Sequence, residues 1–137
     1  MVLRALLFLL MPVTVLADSC FWYEPKVATL TGVLTEKFFP GPPNYEDFNA
    51  GDAKEGALIV QVGKPFCVKR SPQDDIDAVD EMEQTLLHLV VLNNELWPMI
   101  RGSIGKRITV RGGLFHAHAG HHRTPILMVV ESVELDR

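Results

Sequence analysis

The chain has 137 residues, a formal net charge of −4 at pH 7, and 22% charged residues. A chain of this length suits one domain with a modest hydrophobic core. Nucleic-acid-binding domains are usually basic, so the acidic balance counts against such a partner.

The first 17 residues have the organisation of a secretory signal peptide. Arg4 supplies a positive charge, an apolar run extends from Ala5 to Val15, and Val15-Leu16-Ala17 has the small-x-small pattern that signal peptidase accepts. A membrane span needs about 20 apolar residues, and this run is shorter. We therefore predict cleavage before Asp18, a single domain over 18–137, no membrane span, and release into the bacterial periplasm or the medium.

A lipoprotein is the alternative to a freely released protein. Residues 17–20, Ala-Asp-Ser-Cys, distantly resemble a lipoprotein cleavage box in which Cys20 would carry the lipid. Against this, Asp18 is acidic and Leu16 lies one place too far upstream. The cleaved, soluble form remains the prediction.

The chain has two cysteines, Cys20 and Cys67. In an oxidising compartment they predict one structural disulfide. Such a bridge would constrain the unfolded chain by roughly 4 kcal/mol in the chain-entropy model. No Cys-x-x-Cys motif occurs, which argues against a catalytic pair.

Hydrophobic alternation with a period of two and short apolar runs predict five strands. The apolar run 85–92 could form a strand or a helix, and Val90 and Val91 favour a strand buried on both faces. Gly32, inside the first strand, indicates a sharp bend of the kind that small barrels need. A loop over 40–52 and a turn over 63–65 contain prolines and glycines, and the acidic stretch 74–83 predicts a solvated loop or short helix. The predicted strands cover residues 27–39, 57–62, 85–92, 106–115 and 126–135.

A short helix is predicted over 95–104, capped by Asn94, because apolar residues recur there at helical spacing. The order strand, strand, strand, helix, strand, strand is that of the OB-fold, a five-stranded Greek-key barrel. The helix falls between strands three and four. Ligands of this fold usually meet the face of strands two and three and the loops after strands one and four. His88, inside strand three, is predicted to be a core histidine with a hydrogen-bond partner.

Four of the five histidines lie within seven residues, between the last two predicted strands. Gly120 and Pro125 mark a turn, so this segment predicts a β-hairpin with a histidine loop at its tip (residues 116–125). Three imidazoles could converge there on Zn²⁺, Cu²⁺ or Ni²⁺. Five cationic residues and no carboxylate or cysteine occupy 101–123, which opposes a metal ion. A structural role and a partner-facing role stay open beside the metal site.

The segments Gly113-Leu114-Phe115-His116-Ala117, Gly120-His121-His122 and Thr124-Pro125-Ile126-Leu127 together resemble a bacterial family known only as a domain of unknown function. The resemblance covers roughly residues 105–135, and the first strand more loosely. It implies a small exported protein that ends in this hairpin, and it implies no activity. The barrel layout also resembles small periplasmic OB-fold proteins, some of which act in stress tolerance or ligand binding.

Neither Gly-x-Ser-x-Gly nor His-Glu-x-x-His occurs, and we predict no enzymatic activity. We predict a monomeric periplasmic binding or interaction module for a protein partner or an anionic small ligand. The alternatives are a periplasmic metal-binding protein that uses His116, His118, His121 and His122, and an immunity-type inhibitor of a secreted toxin. The predicted ligand or partner surface consists of Arg111, Phe115, His116, His118, His121, His122 and Arg123.

Overall fold

The computed structural model describes residues 19–74, 76 and 78–136. The predicted signal peptide and its cleavage site lie outside these residues. The described part is mainly β, with six strands, one short α-helix and two 3₁₀ turns, Phe48–Ala50 and Asn94–Leu96. In chain order the elements are β1 (Phe21–Trp22), β2 (Val27–Pro40), β3 (Lys54–Lys69), β4 (Glu81–Val90), α1 (Trp97–Gly102), β5 (Arg107–His116) and β6 (Ile126–Leu135).

The strands form one mixed sheet in the order β1-β3-β2-β5-β6-β4, and β3 pairs with β4 as well, so the sheet curls into a partial ring. The β1–β3 and β4–β6 pairs are parallel and the others are antiparallel. The curl depends on β2, which pairs with β5 over residues 27–33 and with β3 over residues 32–40.

Gly32 lies where β2 changes from one partner strand to the other. A Cβ atom at this position would overlap the carbonyl oxygen of Gln61 and crowd the side chain of Val60. The bend predicted at Gly32 therefore has a direct physical reason: two backbones approach too closely for any side chain.

The core lies on the inner side of the curled sheet. Burial alternates along β2 and β5, as the period of two predicts, whereas β4 and β6 each bury three consecutive residues. Ile100 of α1 is fully buried against the same core, and Leu96 and Trp97 pack beside it. The inward residues with no exposed surface include Leu34, Val60, Leu87, Ile108, Val110, Leu114, Ile126 and Met128.

The structure corrects several predicted boundaries. The turn predicted over 63–65 is wrong, because β3 continues through it and only its pairing with β4 becomes irregular there. Proline and glycine interrupt a ladder at a bulge as well as at a chain reversal, so composition alone does not distinguish the two. β4 begins earlier than predicted, so part of the acidic stretch is strand. The sheet also has a sixth, two-residue strand, β1, that was not predicted.

The predicted helix is shorter than 95–104 and begins differently. The predicted cap by Asn94 is wrong: no side chain caps α1, and the Asn93 side chain accepts from the Glu95 N–H at 3.0 Å at the start of the 3₁₀ turn that precedes it. Helix α1 lies between β4 and β5, as predicted. No helix in the described part of the chain is long and apolar enough to cross a membrane.

The predicted disulfide is confirmed, since Cys20 is bonded to Cys67. It lies beside the parallel pairing of Phe21 with Val68, and so it fastens the segment before β2 to β3.

Candidate functional site

The histidine loop joins β5 to β6, whose antiparallel pairing reaches His116 and Ile126. Beyond this pair the Ala117 N–H donates to the Pro125 carbonyl at 2.9 Å, which extends the ladder by one step. The chain then reverses through a turn in which the His122 N–H donates to the Ala119 carbonyl at 3.1 Å. The loop thus has a defined backbone.

His122 holds this backbone from inside the turn. Its Nδ1 accepts hydrogen bonds from the N–H groups of His118, at 3.0 Å, and Ala119, at 3.2 Å. An imidazole nitrogen that accepts carries no hydrogen, so the neutral ring has its proton on Nε2. Burial lowers the pKa of His122, and the neighbouring His121 and His118 lower it further.

His88 holds the other end of the loop from β4. This side chain is buried, and its Nδ1 accepts from the Arg123 N–H at 3.2 Å. The Thr124 hydroxyl oxygen accepts from the His88 N–H at 3.1 Å and donates to the Ile126 carbonyl at 2.5 Å. Burial lowers the pKa of His88 to about 4, with smaller contributions from His122, His121 and Arg123. The prediction of a hydrogen-bonded core histidine is confirmed.

His116 makes different contacts and links β5 to β4. Its Nε2 lies 2.9 Å from Glu81 Oε1, and its Nδ1 lies 3.0 Å from the Ala117 carbonyl, which can only accept. Both ring nitrogens of His116 therefore lie within hydrogen-bond distance of oxygen atoms of the protein. The ring also meets that of Tyr23 edge to face, with 6.4 Å between the ring centres.

The remaining rings of the loop form a compact aromatic cluster. The centre of the His122 ring lies 5.4 Å from that of Phe115, 4.7 Å from that of His118 and 4.5 Å from that of His121. Phe115 also contacts His118 at 5.8 Å between ring centres. These perpendicular and tilted arrangements are the ones that aromatic rings prefer.

The ring nitrogens bear directly on the metal hypothesis. Within residues 19–74, 76 and 78–136, no group of three or more His, Cys, Asp or Glu side chains is placed to hold a metal ion. His122 Nδ1 accepts hydrogen bonds from two backbone N–H groups, and both ring nitrogens of His116 lie within hydrogen-bond distance of protein oxygen atoms. Only His118 and His121 remain of the predicted set, and two imidazoles are fewer than the three that the prediction required. The geometry favours a structural role for the other two.

Arg123 connects the histidine loop to the end of β2 and the start of β3, which flank the loop after β2 (residues 41–53). Its side chain is only 12% exposed, and its Nη2 lies 3.9 Å from Glu55 Oε1. Nη2 also donates to the Pro40 carbonyl at 3.1 Å, and the guanidinium lies 4.7 Å from the centre of the Phe39 ring. A guanidinium over an aromatic face is attracted by the ring quadrupole. Arg123 thus points inward instead of towards a ligand.

Arg111, the other predicted cationic contact, lies elsewhere. It precedes His116 by five residues on β5, a distance of about 16 Å along a strand. It is exposed and forms an ion pair with Glu131 at 3.2 Å. Arg107 pairs with Asp136 at 2.6 Å. The arginines at positions 107, 111 and 123 therefore do not form one cationic surface.

Asp52 organises the loop after β2. This residue is buried, and its carboxylate accepts from the N–H groups of Asn44 at 2.9 Å, Glu46 at 2.8 Å and Asp47 at 3.0 Å. The hydrogen bonds from Asp47 and Glu46 have the largest effects in lowering the pKa of Asp52. The same loop carries Tyr45, whose ring centre lies 5.9 Å from the Arg123 guanidinium.

Replacing Asp52 by alanine is expected to release this loop, because three backbone N–H groups lose their charged acceptor. Amide hydrogen exchange should show lost protection at Asn44, Glu46 and Asp47, together with a lower thermal midpoint. The matched control is Asp47→Ala, since the Asp47 side chain accepts only from the Asn49 N–H among the hydrogen bonds described for this loop. Equal losses in both variants would contradict the role assigned to Asp52.

A cleft of about 600 Å³ lies beside the histidine loop and is lined in part by residues of that loop. Phe115, His116 and His118, three of the predicted site residues, line it together. Sequence reasoning missed its other polar and aromatic members, because they come from the segment before β2 and from the acidic stretch. The lining also includes Tyr23, Glu24, Gln73, Asp74, Ile76, Ala78 and Leu114.

The fold and the site define a small, mainly β domain with a histidine loop braced from two strands and a cleft beside it. Residues 86–134 match the model of a family described as Domain of unknown function (DUF4431). The match spans the second half of β4, the helix, β5, the histidine loop and nearly all of β6. It supports the resemblance to a domain-of-unknown-function family. Comparison with curated proteins finds no match.

Proposed function

We propose that this protein is a non-enzymatic binding module of the bacterial periplasm that takes a ligand or partner segment in the cleft beside the histidine loop. The observation that carries the proposal is the cleft itself, which gathers side chains from distant parts of the chain around about 600 Å³. Concave sites with an apolar floor and a few polar groups are the usual form of ligand pockets.

The arrangement of strands supports this reading. β2, β3, β4, β6 and β5 pair in a closed succession, with α1 between β4 and β5. We assign this ring as an OB-fold-like barrel of five strands, to which β1 adds a short edge. In such barrels the loops after the first and fourth strands usually meet ligands. Here those loops are 41–53 and 117–125, and the Arg123 guanidinium of the second lies 5.9 Å from the centre of the Tyr45 ring of the first.

Export is supported by two features. The first 17 residues have the pattern of a cleavable leader. The Cys20–Cys67 disulfide suits an oxidising compartment and is compatible with export.

The lining of the cleft indicates the charge of its ligand. Glu24 and Asp74 contribute carboxylates, and none of the described residues that line the cleft is a lysine or an arginine. The rings of Tyr23 and Phe115 flank them, and Ile76 is 88% exposed at the margin. A cationic group beside an apolar surface fits these walls better than the anionic ligand that we predicted from the sequence. We therefore propose a partner segment or ligand that carries a positive charge.

The experiment is capture from periplasmic extract by the immobilised mature domain, followed by binding measurements with the purified captured molecule. The double variant Glu24→Gln, Asp74→Asn should weaken binding about tenfold or more, since a charge-assisted hydrogen bond contributes about 1.5–3 kcal/mol.

The control variant removes the same number of negative charges, at positions outside the cleft. Glu131→Gln with Glu134→Gln changes two exposed carboxylates of β6 that do not line it, and binding should be retained. The proposal is wrong if both double variants bind the captured molecule as tightly as the unaltered domain does.

A further inference from the structure

We infer that the histidine loop is an acid-labile clasp: at neutral pH it closes one wall of the cleft, and it opens when His122 and His88 take up protons. The existence of the clasp follows from the loop alone. Its consequence for binding rests on the proposed function of the cleft.

The clasp consists of three backbone N–H groups that donate to two imidazoles. His118 and Ala119 donate to His122 Nδ1, and Arg123 donates to His88 Nδ1. A protonated imidazole carries hydrogen on both nitrogens and has no acceptor left. One proton on each ring therefore removes all three hydrogen bonds and sets N–H against N–H.

The groups that face these rings add to the effect. The His122 ring contacts those of His118 and His121. Electrostatic repulsion from His122, His121 and Arg123 opposes a proton on His88, and repulsion from His121 and His118 opposes one on His122.

The surrounding strands supply little negative charge to offset the positive charge that protonation of His122 and His88 adds. On β3, Ile59 pairs with His88, and the carboxylate of Glu55 lies 3.9 Å from Arg123 Nη2. On β6, Leu127 pairs with His88, and on β4, Glu81 is held by His116. β5 contributes the ring of Phe115, and β2 contributes that of Phe39 beside Arg123.

The direction of the pH effect follows from linkage. The pKa of His88 is lowered to about 4, and that of His122 is lowered as well. A group whose pKa is lower in the closed form than its ordinary value of about 6.5 binds protons more readily when released. The clasp is therefore fully stable above about pH 6.5 and weakens as the pH falls towards the pKa of the closed form.

Opening of the clasp would alter the cleft directly. His118 lines the cleft, and its own N–H is one of the three donors. Its ring is also packed between those of Phe115 and His122. Releasing residues 118 and 119 frees this wall, whereas His116 stays attached to Glu81 on the opposite side.

The test is amide hydrogen exchange by NMR on the mature, disulfide-bonded protein between about pH 7.5 and about pH 4.5, a range that brackets the ordinary histidine pKa. The protection factor of the Arg123 amide, whose acceptor is His88, should fall by up to about tenfold for each pH unit below about 6.5, and those of the His118 and Ala119 amides should fall as the pH decreases over the same range. Amides of β5 and β6 away from the loop should keep their protection. Protection of the three amides that does not change with pH would overturn the inference.

The matched variant is His122→Asn. The asparagine side-chain oxygen can accept the same two N–H groups but does not titrate, so the His118 and Ala119 amides should stay protected at both ends of the pH range. A pH profile like that of the unaltered protein would contradict the assignment to His122. If the variant does not fold, the profile of the unaltered protein still decides.

Binding of the captured molecule at both pH values separates the two proposals. If the loop amides depend strongly on pH but no molecule binds specifically, the inference of an acid-labile clasp is supported and the proposed function is rejected. Specific binding to the cleft with amides that do not respond to pH rejects the clasp alone.

Discussion

Removing the Cys20–Cys67 disulfide is expected to lower the free energy of unfolding by about 2–5 kcal/mol, the usual cost of losing a native bridge from a small secreted domain. The bridge joins residues 47 positions apart, and the chain-entropy model assigns about 4 kcal/mol to a loop of this size. It also has a local function. β1 contributes only two residues to the sheet, Phe21 and Trp22, and nothing else covalent holds that segment against β3.

The measurement is equilibrium denaturation of the mature domain and of the double variant Cys20→Ala, Cys67→Ala, which leaves no unpaired thiol. Ser19→Ala is the matched control, because it changes a neighbouring exposed side chain and keeps the bridge. A loss below about 1 kcal/mol in the double variant would show that the sheet holds the segment without the bridge.

Replacing Gly32 by alanine is expected to destabilise the domain by about 1–3 kcal/mol or more, the range found for overpacked interiors. The added Cβ would overlap the Gln61 carbonyl and crowd Val60. The obstacle is mainly backbone, which cannot move aside as a flexible side chain does. Relief would require β2 and β3 to separate at the point where β2 changes partner, and the curl of the sheet depends on their pairing.

Gly63→Ala is the control for this prediction. Gly63 also lies in β3, but the nearest atom to an added Cβ there is Arg107 Nη1 at 3.9 Å, an ordinary contact. The free energy of unfolding of the Gly63→Ala variant should equal that of the unaltered domain or be slightly higher. Comparable destabilisation by both substitutions, measured by urea denaturation, would refute the role of close backbone approach at Gly32.

Much of the fold could be predicted because its signals are local. The last strand was predicted over 126–135, and β6 is Ile126–Leu135. Alternation along a strand depends only on which side faces the core, so a short window of sequence reveals it. The disulfide was predictable for a simpler reason: two cysteines in an oxidising compartment allow one pairing.

The candidate site was predictable only in part. The sequence drew attention to the histidine loop, and Phe115, His116 and His118 do line a cleft. It could not assign the rings their roles, because the partner of His116 is Glu81, 35 residues earlier, and the Arg123 N–H donates to His88, also 35 residues away. Arg123 illustrates the same limit, since its inward position depends on Phe39 and Pro40 of β2.

By itself the sequence determined which segments alternate, where the hairpin turns, which cysteines pair, and that histidines are concentrated at one tip, because these properties depend on neighbours in the chain or on simple counting. The tertiary structure alone decided that β3 continues through Gly63 and Pro65, that β2 exchanges β5 for β3 at Gly32, and that His122 and His88 accept hydrogen bonds from the loop backbone. Those features depend on contacts between strands that are far apart in the chain. A hydrogen-bond acceptor, a buried charge or a close backbone approach is defined by whatever the fold brings within a few ångströms.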